Sequence, residues 1–295
     1  MLPFIQTKGE IMALKILLAM DSSEASSIAL EEMADRPWPE DALFDVLGVV
    51  EPSHLWKTSQ HVQESAREAR AAVDGAVARL AAKKRAAKGE VLFGDPKRLI
   101  AERAKSAGAN LLVAGSLGPL GSTAVAVLRR APCSVEIVRR RASARPQRKI
   151  LLATDGSESS ERAARSIADR PWPVGTEVRV LSAVELIVPT GYALFEPPYI
   201  DTEVLETARA EAMKRAQSAI ARAREMLSAA GLNSSESVSV LLDPPKTVIV
   251  NEAAEWGADI IVLGSHGHHG IDRLLLGSVS EAVATHAACS VEVIR

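Results

Sequence analysis

The chain contains two copies of one pattern. "KILLAMDSSE" at 15–24 returns as "KILLATDGSE" at 149–158. "ADRPWP" at 34–39 returns unchanged at 168–173, and "VLGVVE" at 46–51 returns as "VLSAVE" at 180–185, all displaced by 134 residues. A period this long does not belong to a solenoid; it marks a duplicated domain. Within 295 residues there is room for two domains of ordinary size. The displacement then grows: "GANLLVAGS" at 108–116 answers "GADIIVLGS" at 257–265, and "CSVEIV" at 133–138 answers "CSVEVI" at 289–294. The second copy therefore holds extra residues after its second strand, near Pro245, and between Gly267 and Gly277, where seven are added. These matches divide the chain into an N-terminal extension (1–13), a first repeat (14–139), a basic linker (140–148) and a second repeat (149–295).

Each copy alternates strand and helix. "KILLAT" is a continuous apolar run, as expected of a strand buried on both faces. "SESSERAARSIADR" carries Ala164, Ile167 and Ala168 at helical spacing, with Ser157 to cap its start and Pro171 to prevent its continuation. The Ala/Arg/Glu stretch at 202–230 is a strong helix former, stopped by Gly231. "SVSVLL", "DIIVLG" and "SVEVIR" read as further strands with helices between them. This alternation predicts an α/β fold built on a parallel sheet. Trp38 and Trp172, inside the repeated hexapeptide, are expected to pack at a helix end.

Composition narrows the function classes. The net charge of −2 gives no general pull toward nucleic acid or an anionic membrane. "KKRAAK" at 83–88 and the linker arginines lack aromatic interleaving, so they read as a solvated helix face and a solvated linker. No apolar run approaches the ~20 residues of a membrane span, and "MLPFIQTKGE" does not resemble a secretory leader. Two cysteines, Cys133 and Cys289, make no disulfide framework; they read as small buried residues of a cytoplasmic protein.

In sheets of this kind, ligands bind beyond the carboxyl ends of strands where the strand order reverses. Asp155 ends the first strand of the second copy and Gly264 ends the fourth. If those strands are neighbours, the two residues share a crevice. After Gly264 runs "GSHGHHGIDRLLLGS", with the spacing Gly264-x2-Gly267-x9-Gly277-Ser278. Glycines let a ligand touch main-chain amides, and the helix opening at Ser278 presents unpaired N–H groups to an anion. The same stretch holds His266, His268 and His269, three of the six histidines in the chain. Three loop histidines would suit a transition metal. Asp272 is the one acidic neighbour, however, and the glycine frame favours histidines that face phosphate or solvent. Ser157 and Ser280 read as helix caps, since no His–Asp pair is positioned to make either a nucleophile.

The glycine pattern, together with "LLATDGSESS" and the ending "ACSVEVIR", resembles the ATP-binding type of the universal stress protein family. The resemblance covers both copies and nearly the whole chain. It implies two repeated doubly wound domains, each a five-stranded parallel sheet of order 3-2-1-4-5 with helices on both faces. It implies ATP, with Mg2+ as a companion ion. Thr154 and Asp155 would lie at the adenine and ribose, Val184 would line the adenine pocket, and Ala153 and Leu263 belong to the same site. Gly264, Ser265, Gly267 and His268 would wrap the phosphates; Gly277, Ser278, Val279 and Ser280 would complete their cradle. In that setting Asp155 orients a ribose hydroxyl or Mg2+ rather than acting as a base. An unperturbed histidine titrates near ~6.5 and a nearby triphosphate favours its charged form, so ATP affinity is expected to rise as pH falls from about 8 to about 6. The resemblance also implies that "SVEIV" and "SVEVI" pair, joining the repeats as an intramolecular pseudo-dimer, and it is compatible with a homodimer of whole chains.

The first copy departs from the pattern. Only two residues separate Gly118 from Gly121-Ser122, and Met20-Asp21-Ser22 replaces Thr154-Asp155-Gly156. Each hydrogen bond to a charged group contributes about 1.5–3 kcal/mol, so losing two weakens binding by roughly 10²- to 10⁴-fold. One nucleotide site per chain is expected, in the second repeat. The aromatic insert at 189–203 is expected near the adenine, as a lid or a contact with a second chain. The function that follows is an ATP-binding stress-response protein acting as a nucleotide-dependent signalling or protective module, without nucleic-acid or membrane partners. A slow ATPase, a metal-responsive protein using His266, His268 and His269, and a nucleotide-free scaffold remain as alternatives. The lysine-bearing phosphate loop is absent.

Overall fold

The computed structural model describes residues 13–52, 59–142, 145–185, 202–241, 244–267 and 276–295. The N-terminal extension up to residue 12, most of the aromatic insert, His268 and His269 lie outside the described residues. The first repeat runs β1 (Lys15–Met20), α1 (Glu24–Asp35), β2 (Leu43–Val50), α2 (Ser59–Ala82), β3 (Ala86–Phe93), α3 (Pro96–Ala107), β4 (Leu111–Gly115), α4 (Ser122–Arg130) and β5 (Ser134–Val138). The second runs β6 (Lys149–Ala153), α5 (Glu158–Ala168), β7 (Glu177–Glu185), α6 (Thr202–Ala229), β8 (Asn233–Leu241), α7 (Pro245–Trp256), β9 (Ile260–Gly264), α8 (Ser278–His286) and β10 (Ser290–Ile294).

The strands form one ten-stranded sheet ordered β3-β2-β1-β4-β5-β10-β9-β6-β7-β8. Within each repeat the order is 3-2-1-4-5 and every pairing is parallel. The inner strands are apolar because both faces are covered. On one face α1 and α2 build a core with Ile16, Leu18 and Phe44, and α5 and α6 build a separate core with Ile150, Leu152 and Val180. On the other face α3, α4, α7 and α8 share a single core that runs through Val135 and Val291 from one repeat into the other.

The repeats meet where β5 and β10 pair antiparallel, with Ile137 opposite Val291, Glu136 opposite Glu292 and Val135 opposite Val293. This closes two sheet edges that would otherwise be open. The repeated hexapeptide acts at this seam. In each copy the proline follows the last helical turn and the indole donates back to it: Trp38 Nε1 to Met33 O at 2.8 Å, and Trp172 Nε1 to Ile167 O at 2.9 Å. The preceding arginine reaches the glutamate of its own repeat's last strand. Arg36 Nη1 lies 2.9 Å from Glu136 Oε2, and Arg170 Nη2 lies 2.7 Å from Glu292 Oε2. Both glutamates are fully buried, and an unpaired buried charge would cost several kcal/mol. The Arg36 guanidinium stands 5.2 Å from the Trp38 ring centroid and 5.6 Å from that of Trp172, so it touches both repeats.

The basic linker is not a solvated strand of charge. Arg139 and Arg148 are buried. Arg139 donates Nη2 to Ala284 O at 2.6 Å, at the end of α8, and Arg148 Nη2 meets Glu32 Oε1 at 3.0 Å. Arg141 Nε bonds Asp259 Oδ1 at 3.2 Å. The counterpart of Arg139 is Arg295, which donates to Leu128 O at 2.7 Å, at the end of α4. Each repeat's last strand thus caps the other repeat's last helix. "KKRAAK" is also not a helix face: α2 stops at Ala82, and Ala86 already begins β3. Cys133 and Cys289 are both free.

Candidate functional site

β6 and β9 are neighbours, so their carboxyl ends open side by side. Thr154 N donates to Leu181 O at 2.8 Å and carries the strand one residue further. Asp155 Oδ1 then accepts Ser157 N–H at 2.9 Å, and Gly156 takes φ +81°, a left-handed turn that glycine adopts without strain. Ser157 caps α5 by accepting Ser160 N–H at 3.3 Å. Asp155 itself is exposed at the mouth of this turn.

The loop after β9 is fastened from both sides. On one side Ser159 Oγ donates to His266 O, and Ser157 Oγ lies 3.4 Å from the same oxygen. On the other, Ser280 Oγ donates to Gly264 O at 2.7 Å. Ser280 is therefore not a helix cap: Gly277 holds that position without a side-chain bond, and Ser280 reaches back to the strand end. Gly277 N–H closes the loop on Ser265 O at 2.8 Å. Ser265 Oγ and His266 Nδ1 are 2.9 Å apart.

The glycines have separable roles. A Cβ on Gly264 would stand 2.4 Å from Ser159 Oγ, and one on its counterpart Gly115 would stand 2.0 Å from Ala25 O. That glycine serves close packing of strand on helix in both repeats. Gly267 differs: its Cβ would lie 2.7 Å from Asp155 Oδ2, so the loop crosses over to the end of β6 at this residue. A Cβ on Gly277 would lie 3.0 Å from Ser265 O. Beyond Gly277 the amides of Ser278, Val279 and Ser280 open α8 with no intrahelical partners and form the positive end of its dipole.

The floor of the crevice is apolar. Ala153 and Leu263 are buried in one cluster with Leu181, against which Ala183, Leu276 and Val279 pack. Ala183, near the end of β7, packs on this cluster, and Val184 follows it in the strand. Among the described residues no three of His, Cys, Asp and Glu gather as metal ligands would.

The first repeat is built differently at the same place. Met20 has no hydroxyl, so Ser26 Oγ turns to Asp21 Oδ1 at 2.6 Å, and Ser23 N–H adds a bond at 3.0 Å. Burial pushes the Asp21 carboxyl up, but the bonds from Ser23 and Ser26 outweigh it and hold its pKa below the ordinary value. In the second repeat, Thr154 Oγ1 engages the equivalent Ser160 Oγ at 3.0 Å and leaves Asp155 out of that bond. Ser22 does not adopt the positive φ of Gly156. A Cβ on Gly118 or Gly121 would meet nothing within 4 Å, so these glycines enclose no cradle.

The comparisons agree with this architecture. The model of the Universal stress protein family matches residues 12–139 and again 147–295. A putative universal stress protein of Staphylococcus haemolyticus is 29% identical over 147 residues, covering 50% of this chain and 83% of that protein. A universal stress protein of Methanocaldococcus jannaschii is 30% identical over 148 residues, covering 50% and 82%. Among solved structures, a universal stress protein of Archaeoglobus fulgidus matches with a TM-score of 0.65 at 20% identity, over 95% of this chain and 96% of that one. A Pseudomonas aeruginosa protein described as functionally unknown matches with a TM-score of 0.57 at 18% identity, over 96% and 92%. The chain belongs to the universal stress protein family, with the family's domain present twice in tandem.

Proposed function

We propose that the second repeat binds one adenine nucleotide, ATP with or without Mg2+, and that the first repeat binds none. The observation that carries this is the convergence of Asp155, the Gly264–Gly267 loop and the unpaired first turn of α8 on one crevice, at two glycines whose Cβ atoms would intrude. Ala153, Ala183 and Leu263 offer an apolar seat for a base. The Asp155 carboxylate would accept from a ribose hydroxyl, and the amides of residues 278–280 would hold phosphate oxygens. A bound nucleotide would supply the polyanion that this first turn stabilises. The output would be a nucleotide-dependent signalling or protective role in the cytoplasm, with the two repeats acting as a pseudo-dimeric pair across β5 and β10.

Native mass spectrometry of freshly purified protein, followed by identification of the released nucleotide, tests this reading. One adenine nucleotide per chain is expected. Gly277→Val should remove it, because its side chain would push against Ser265 O. Two nucleotides per chain, or none in the wild type after ATP is added, would overturn the proposal.

A further inference from the structure

The first repeat has no crowded glycine cradle, yet one of its side chains reaches the first turn of α8. That turn contains one carboxylate, Glu281, whose backbone N–H bonds Gly277 O at 3.0 Å. From the last turn of α4, Arg129 holds both carboxylate oxygens through Nε, at 3.1 and 3.2 Å. This contact does not obey the symmetry of the seam. The residue equivalent to Glu281 in α4 is Val125, and the one equivalent to Arg129 in α8 is Thr285. Arg139 and Arg295, by contrast, form a matched pair that staples both repeats. The ion pair is also partly solvated, with Arg129 59% and Glu281 29% exposed, so it adds little to stability.

A carboxylate in a helix's first turn competes with an anionic ligand for the same positive end. Its field reaches about 8 Å at physiological salt, which spans one helical turn. We propose that Arg129 is a positioning residue for the phosphate site of the second repeat, supplied across the seam by the first. By holding Glu281 in an ion pair, it lowers the repulsion between that carboxylate and bound phosphates. The inference rests on the reading of the second repeat as a nucleotide site. It gives the cradle-less first repeat a part in binding.

The two partners should act with opposite sign. Titration calorimetry of the full chain with ATP and Mg2+ at low salt should find Arg129→Ala binding about three- to tenfold more weakly. Glu281→Gln should bind about as much more tightly than wild type, and the double variant should match Glu281→Gln alone. If the pair only fastens the repeats together, both single variants will weaken binding alike; that result, or no change in either, overturns the inference. A wild type that binds no ATP overturns the second-repeat reading and this inference with it, whereas failure of the inference alone leaves wild-type binding intact. Melting of the nucleotide-free variants close to wild type will confirm that the fold is unchanged.

Discussion

Asp155 and Asp21 occupy the same position in the duplicated sequence and do different work. The difference starts one residue earlier, where Thr154 takes the serine hydroxyl that Met20 leaves to Asp21. Asp155→Ala should weaken ATP binding about tenfold or more, while Asp21→Ala should leave it unchanged and lower the melting temperature; calorimetry and thermal melting separate the two. The cysteines give a second residue-scale test. Burial pushes both thiols up to about 11, so at neutral pH the reactive thiolate is scarce. Alkylation of Cys133 and Cys289 by iodoacetamide should be slow in the folded protein and fast in denaturant. Rapid labelling of the native chain at pH 7 would contradict this. At this scale the sequence was only partly legible. Ser157 could be recognised as a cap because a cap is local, within three residues of its partner. Ser280 and Ser159 could not be assigned, because their partners lie on another element.

Among the elements, α8 links several parts of the molecule. Its first turn opens the candidate phosphate site, and its last turn is held by Arg139 from the other repeat. Arg139→Ala removes a charged donor from a buried carbonyl and should cost about 1–3 kcal/mol, read as a shift in the urea unfolding midpoint. An unchanged midpoint would mean that water replaces the guanidinium. The strands and helices themselves were legible, because apolar runs, helical spacing and glycine or proline stops are all local signals. The linker was not. Arginine is normally solvated, and nothing near residues 139–148 in the sequence points to Glu32, Asp259 or the end of α8. The strand order came from the family resemblance, since alternation alone gives a parallel sheet without its order.

For the molecule as a whole, the duplicated pattern was the most legible feature and the charge at its centre the least. Glu136 and Glu292 face each other across the seam, and each is held by an arginine of its own hexapeptide. Arg36→Met should cost about 3–5 kcal/mol by leaving Glu136 buried without its partner. Close by, burial pushes the Glu32 carboxyl up, but Arg36 and Arg148 outweigh burial and hold it below the usual carboxylate range. A carboxyl lowered by folding stabilises the protein above its unfolded pKa, and that contribution is lost as pH falls through the folded value. Glu32→Gln should therefore destabilise the protein at pH 7 and make its stability fall less steeply below about pH 4. Urea titrations at several pH values would read this, and parallel curves for variant and wild type would refute it.

The guanidinium held between two indoles also gives the protein an optical handle. Trp38 and Trp172 come from different repeats and flank one cation, Arg36, with Trp38 buried. Their emission depends on how closely the two halves of the chain stay together. Parting the halves would move the cation and admit water to the rings, shifting the fluorescence to the red before either half lost its helices. In a chain whose other two tryptophans, Trp56 and Trp256, are replaced, the repeated hexapeptide would thus carry a light signal that distinguishes opening of the joint from melting of the domains.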